Sequence, residues 1–180
     1  TAAIFAYALQ ADEMVIWKDV PGLLNADPKY FSRTEKLASI SYREAIELSY
    51  YGATIIHPKT IKPLQNKDIP LRIKSFVKPG DEGSIIQNDT AADSLIPSFI
   101  FKVDQVLISI IPRDFSFIDE QSLSEILAVF ASNSIHISLM QNSAISFSVC
   151  VDNNQRKLSR LFEELGKDYK VRYNTGLELI

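Results

Sequence analysis

Hydrophobic positions follow two different rhythms along the chain, with the change near its middle. Ala2 to Leu9 is a run of good helix formers, apolar almost all round, which predicts a helix buried on most sides. Met14-Val15-Ile16-Trp17 is short and β-prone, as expected of an interior strand, and ends in Lys18-Asp19 and a Pro21-Gly22 turn. Ser41 and Glu44 form a capping box that opens a helix running through Tyr50, with Gly52 as its stop. Ala53 to Ile56 fits a short strand or a second helix start, and Pro70 to Ser75 alternates as a strand. Strands alternating with helices predict an α/β sheet. Residues 76–98, rich in Gly, Pro, Asp and Ser, predict turns and a connector.

The later block is more regular. Val103 to Ile111 is a strand run, and Asp119 opens a helix whose Leu123, Ile126, Leu127 and Phe130 make one apolar stripe. Ile135, Ile137 and Leu139 alternate, as do Ile145, Phe147, Val149 and Val151, which predicts a hairpin with one buried face. A second helix repeats the stripe at Leu158, Leu161, Phe162 and Leu165, and Lys170 to Tyr173 is a last short strand. The order βαββαβ is the ferredoxin-like plan, two helices over one face of an antiparallel sheet. Leu177 to Ile180 alternates again, with nothing after it to pair with, so continuation of the chain is expected.

Composition narrows the function classes. The 180 residues carry 19 basic and 22 acidic side chains, a formal charge of −3, which removes the electrostatic case for nucleic acid as main partner. With 46% hydrophobic and 23% charged residues the chain is of ordinary globular composition. One cysteine cannot form an internal disulfide, so a reducing, cytoplasmic setting is expected, and no apolar run is long enough to span a bilayer. The start has neither the basic flank of a signal peptide nor an initiator methionine, and it opens directly in a helical pattern, as a chain cut from something longer would. No P-loop, dinucleotide glycine loop or Cys/His metal spacing is present. His57 and His136 lie far apart and read as structural, the latter in a strand, and Cys150 reads as a semi-buried thiol.

The informative stretch is Trp17-Lys18-Asp19-Val20-Pro21-Gly22-Leu23-Leu24-Asn25-Ala26-Asp27-Pro28-Lys29. Ligands of open α/β sheets bind beyond the carboxyl ends of strands, where Lys18, Asp19 and the Pro-Gly turn are expected. Asp19 suits a ligand hydroxyl or amine and Lys29 a phosphate oxygen. On the residues alone, a solvated loop with a type I or II turn at Pro21-Gly22 is the favoured reading.

This stretch, with Ser41 to Glu47, Gly52-Ala53-Thr54-Ile55-Ile56-His57-Pro58 and Ile69-Pro70-Leu71-Arg72-Ile73-Lys74, resembles the aspartate kinase (aspartokinase) family. Four segments match in order and spacing, and the later block resembles the first of that family's paired ACT regulatory domains. The resemblance implies a partial amino-acid-kinase sandwich with a mainly parallel sheet, followed by a ferredoxin-like ACT domain. Residues 1–87 would be the C-terminal, nucleotide-side part of the catalytic domain, 88–98 a connector, 99–176 the ACT domain, and 177–180 the start of a truncated second one. The implied reaction is ATP-dependent phosphorylation of the β-carboxylate of L-aspartate, with Mg²⁺, the committed step towards lysine, threonine and methionine.

By position, the resemblance puts Lys18 and Asp19 at the nucleotide, much of the contact through backbone, and Lys29 on the basic phosphate-side residue. Leu24 falls on a nucleotide-contacting position that is often aromatic. Thr54 falls where members carry Lys or Gln, with the backbone at Thr54 and Ile55 still able to serve. The family's Lys-Phe-Gly-Gly segment, its Gly-Arg-Gly-Gly-Ser-Asp loop and its aspartate-gripping residues would lie upstream. No catalytic residue is therefore assigned here, and the fragment alone is expected to be inactive.

In the ACT block the effector contacts implied are Arg113, Asp114 and Ser116, Ile137 and Ser138, and Asn142 and Ser143. Positions that are acidic in lysine-sensitive members are Ser138 and Ala144 here, which weakens the case for a cationic ligand, although lysine or threonine remains the expected class. A homodimer through edge strands of residues 99–180 is expected. The rival readings are a non-catalytic amino-acid-binding regulatory subunit of an aspartokinase, a ligand-free packing module, and another amino-acid kinase acting on glutamate or a nucleotide.

Overall fold

The computed structural model describes residues 2–51, 56–114 and 116–180. The chain divides into two compact units, residues 1–101 and 102–180.

The first unit runs α1 (Ala2–Leu9), β1 (Met14–Lys18), β2 (Leu23–Leu24), β3 (Lys36–Leu37), β4 (Ser39–Ser41), α2 (Tyr42–Tyr51), α3 (Pro58–Gln65), β5 (Leu71–Ser75) and β6 (Ser84–Gln87). Its main sheet has the order β1-β5-β6-β4. The β1–β5 and β4–β6 pairs are parallel and β5–β6 is antiparallel, so the sheet is mainly parallel as expected. β5 buries Leu71, Ile73 and Ser75 and leaves Arg72 and Lys74 half-buried, the alternation read from the sequence. Ile61 and Leu64 of α3, Tyr42 of α2 and Ile86 of β6 complete the core against it. The capping box forms in part: the Glu44 N–H donates to Ser41 Oγ at 3.1 Å.

Four expectations for this unit change. α1 is not buried on most sides: only Ala3 and Ala6 are buried, while Ile4 and Phe5 are each 64% exposed. The small alanines allow close approach to α3 and turn the bulky residues outward. β1 is at the edge of the described sheet rather than inside it. Residues 76–98 are not all connector, because Ser84–Gln87 forms β6 between β5 and β4. α3 starts at Pro58, later than the stretch read as a short strand or a second helix start; His57 opens it, its Nδ1 accepting the Lys59 N–H at 3.1 Å, which gives this histidine the structural role read for it. The Gly52 stop and the element over 53–55 lie outside the described residues.

The second unit runs β7 (Lys102–Pro112), α4 (Glu120–Ser132), β8 (Ile137–Asn142), β9 (Phe147–Asp152), α5 (Gln155–Leu165) and β10 (Tyr169–Leu179). Its sheet order is β10-β7-β9-β8, antiparallel throughout, which is the ferredoxin-like plan. Val106, Ile108 and Ile110 of β7 and Phe147, Val149 and Val151 of β9 meet Ile126 and Phe130 of α4 and Leu158, Leu161 and Leu165 of α5 in one core. Asp119 caps α4 through the Ser122 N–H, 2.8 Å, and Asn154 caps α5 through the Lys157 N–H, 3.2 Å.

Corrections here are local. Leu127 is exposed at the margin of its stripe. A register shift between Ile137 and Leu139 turns Leu139 outward and buries Ser138 instead, so the first arm of the hairpin loses its alternation. Ile145 is in the turn, exposed, and His136 precedes β8 rather than sitting in it. The terminal alternation does have a partner: Leu177 lies opposite Gln105 and Leu179 opposite Lys102, extending β10. Among the described residues no helix is long and apolar enough to cross a membrane.

Candidate functional site

β1 and β5 run parallel, and the chain leaves β1 at Lys18, beyond the carboxyl end of both strands. Lys18 is half-buried, its carbonyl accepting the Phe76 N–H at 2.8 Å, and Asp19 is exposed. The chain then doubles back at Gly22, whose φ of +144° and closeness to Ser84 exclude a side chain. Ser84, fully buried in β6, accepts the Leu23 N–H at 2.8 Å and so ties the loop to the sheet.

Beyond that tie the loop is held by Asn25. Its N–H donates to the Glu35 carbonyl at 2.9 Å, its Oδ1 accepts the Glu35 N–H at 2.7 Å, and its Nδ2 donates to the Pro97 carbonyl at 3.2 Å. Its own carbonyl accepts the Phe99 N–H at 2.7 Å. One side chain thus joins the loop after β1 to the segment that leads out of the first unit. Asp27 closes a turn, Oδ1 accepting the Lys29 N–H at 2.9 Å and the carbonyl accepting from Tyr30 and Phe31. Tyr30 and Phe101 meet with ring centroids 4.4 Å apart, and Phe31 lies 6.0 Å from Phe99.

A cavity of ≈ 300 Å³ opens between these segments, walled by Leu23, Leu24, Leu48, Phe99 and Phe101 and edged by Asp27 and Lys29. Apolar walls with a few polar groups at one side are the usual composition of a small-molecule site. Of the residues expected at a nucleotide, Leu24 and Lys29 line this cavity, and Lys18 and Asp19 lie just before its first lining residue, Val20. Thr54 and Ile55 lie outside the described residues. Phe99, Phe101, Asn25 and Leu48 were not anticipated. The aromatic pair flanking Ile100, straight after a polar connector, was the available signal.

In the second unit the expected effector residues separate into two groups. Arg113, Asp114 and Ser116 follow β7, and the Ile118 N–H donates to the Ala144 carbonyl at 2.9 Å, which brings that loop against the Asn142–Ser146 turn. Arg113 is committed to the Gly166 carbonyl at 2.7 Å. Asp114 is held below the usual carboxylate range by the Ser116 hydroxyl and N–H.

Ile137 and Ser138 sit at the other end of the strand, Ile137 level with Val151 where Asn142 is level with Phe147. There Lys102 Nζ donates to Ser138 Oγ at 2.8 Å and pairs with Asp152 at 3.0 Å. Gln105, 1% exposed, donates to the same Asp152 oxygen at 2.8 Å and faces the Cys150 thiol. Gln105 and Lys102 hold Asp152 below the usual range, while burial pushes the Cys150 thiol up and keeps it unreactive.

Residues 1–75 match the amino acid kinase family. That stretch takes in β1, the loop to Lys29, capped α2 and β5, and so the cavity's lining from Val20 to Leu48 but not Phe99, Ile100 and Phe101. The chain is also similar over its full length to lysine-sensitive aspartokinase 3 of Escherichia coli, 29% identical over 188 aligned positions covering 41% of that protein. The crystal structure of E. coli aspartokinase III with aspartate and ADP superposes with a TM-score of 0.84 at 28% identity, covering 99% of this chain and 41% of that one. The same enzyme with lysine and aspartate gives 0.83, again at 28% and with the same coverage. The chain therefore spans about two fifths of the length of these relatives and shares the fold of an amino acid kinase segment followed by a ferredoxin-like domain.

Proposed function

We propose that these residues are the nucleotide-side part of an aspartokinase catalytic domain joined to its first ACT domain. The reaction is transfer of the γ-phosphoryl group of ATP to the β-carboxylate of L-aspartate. The observation that carries the reading is the cavity at the carboxyl end of β1, apolar where a base would lie and cationic at Lys29. Its walls suit an adenine ring, and Phe99 and Phe101 offer aromatic surface beside Leu24. Lys29 offsets phosphate charge, and Lys18 and Asp19 flank the approach. Mg²⁺ belongs with the nucleotide phosphates, where it neutralises charge during transfer.

This part of the catalytic domain supplies binding and orientation. On this reading the aspartate-gripping groups belong to other segments of the enzyme, and the 180 residues alone are expected to turn over no aspartate. The second unit acts as an amino-acid sensor for lysine or threonine in a cytoplasmic enzyme, and it pairs with a second copy through the exposed edges of β8 and β10. A purely regulatory subunit would have no use for the cavity and Asp27-Pro28-Lys29, which disfavours that reading.

Trp17, the single tryptophan, is 50% exposed and stands just before the loop, a natural reporter. ADP is expected to change its fluorescence and to shift the NMR signals of residues 20–29, with no aspartate-dependent ADP release in a coupled assay. No response of residues 20–29 at millimolar ADP sinks the nucleotide site, and turnover above background overturns the claim that it is only half a catalytic centre. Calorimetry with lysine, threonine and methionine reads the sensor; heat from none of them leaves a packing module.

A further inference from the structure

The second unit has a concave surface of ≈ 400 Å³ lined by Ser132, Asn133, Ser134, Asn154, Arg156, Lys157 and Arg160, none of them an expected effector residue. Its charge is one-sided: the lining holds two guanidinium groups and an ammonium and no carboxylate. Arg156 and Arg160 are spaced i, i+4 on α5 and Lys157 and Arg160 i, i+3, so all three share one side of the helix. Like charges at that spacing oppose helix formation, and an exposed helix ordinarily relieves them with interleaved acids.

Here that relief is absent. Among the described residues neither the Arg156 nor the Arg160 guanidinium has a hydrogen bond or ion pair. Lys157 is pinned at the pocket, Nζ donating to the Ser134 carbonyl at 2.6 Å, with protons to spare for a further acceptor. Glu163 and Glu164 follow Arg160 at i+3 and i+4, but neither makes an ion pair with it, and Glu164 accepts from Asn133 Nδ2 at 3.0 Å. Ser132 and Ser134 add hydroxyl groups to the lining.

We propose that this pocket between the end of α4 and the start of α5 binds a small phosphorylated anion, with Arg156 and Arg160 as a fork and Lys157 as a fixed point charge. Guanidinium pairs suit phosphate because their planar donors engage two oxygens at once. The volume lies within the range of small-molecule sites and exceeds the needs of a lone phosphate, so the structure favours a diphosphate or phosphate ester.

The test is NMR and calorimetric titration of the 180-residue chain with inorganic phosphate, pyrophosphate and ADP. Pyrophosphate is expected to shift residues 132–134 and 154–160, to bind more tightly than phosphate, and to weaken as salt rises. Arg156→Gln/Arg160→Gln, both exposed positions, should weaken it by at least about tenfold while leaving the remaining spectrum unchanged. Equal affinity for phosphate and pyrophosphate keeps the site but assigns it to free phosphate. ADP shifting both this pocket and residues 20–29 separates it from the nucleotide cavity. Absence of shifts at 132–134 and 154–160, or full binding by the double variant, overturns the proposal.

Discussion

Lys102 Nζ lies 2.8 Å from Ser138 Oγ and 3.0 Å from Asp152, so an ammonium of the chain's own already fills the polar end of β8. The register shift beside Ser138 is the backbone counterpart: it turns Ser138 inward to meet that ammonium and sends Leu139 out. A free lysine arriving here would find its place taken and the one nearby carboxylate named here, Asp152, already paired with Lys102. Ser138→Asp alone should pair with Lys102 and gain no lysine affinity. Lys102→Met/Ser138→Asp, with a carboxylate and no internal cation, should bind lysine at least about tenfold more tightly than the native chain by calorimetry. Equal lysine affinity in the two variants would remove Lys102 from this account.

Glu44 gives a pH signature to the first unit. Burial raises its pKa above the usual glutamate value, and Asp93, whose carboxylate accepts the Ser41 N–H at 2.8 Å, raises it further. The folded state then holds the Glu44 proton more tightly than the unfolded state. Stability falls as pH climbs from the ordinary glutamate pKa through the raised one, and the deficit persists above. Glu44→Gln should therefore raise the melting temperature at neutral pH. The gain should vanish below the ordinary glutamate pKa. A gain that is the same at both ends of a pH series of melts would show that charge is not its source.

How much of this was legible in the sequence depends on whether a residue's role is set locally. β5 could be read because Leu71, Ile73 and Ser75 alternate with Arg72 and Lys74 within one element. α4 and α5 could be read because each carries its own stripe against a single core. β6 could not: Ser84-Ile85-Ile86-Gln87 is four residues among turn formers and becomes a strand only by pairing on both sides. The cavity was half legible for the same reason. Leu24 and Lys29 follow β1 directly, whereas Phe99 and Phe101 arrive from far downstream through Asn25, whose bonds no spacing announces. The bulk of α1 was misjudged because hydrophobicity states how much a helix has to bury, not which neighbour is there to cover it.

Gly83 makes the β5–β6 junction directly testable. It has φ +74°, and a Cβ there would run into the Ile73 carbonyl, backbone that has no room to yield. Gly83→Ala should cost at least about 2 kcal/mol, from left-handed strain together with overpacking. Gly80, with nothing within 4 Å of a built Cβ, is the control. Gly80→Ala should stay within about 0.5 kcal/mol of the native chain in urea denaturation. Similar losses at both positions would mean that the junction is softer than its packing implies.

Lys29 separates holding a loop from holding a phosphate. The turn that carries it is made by Asp27, through Oδ1 to the Lys29 N–H at 2.9 Å and the carbonyl to Tyr30 and Phe31, each at 3.1 Å. All of these bonds use backbone donors, so Lys29→Met keeps the turn while deleting the exposed ammonium. If the apolar walls take the base and Lys29 the phosphates, the variant should bind ADP about tenfold more weakly, the worth of one charge-assisted hydrogen bond. Adenosine, which has no phosphate, should bind it as it binds the native chain. An equal loss for both ligands would make Lys29 a determinant of loop shape. A loss for neither would move the phosphates to Lys18 at the end of β1.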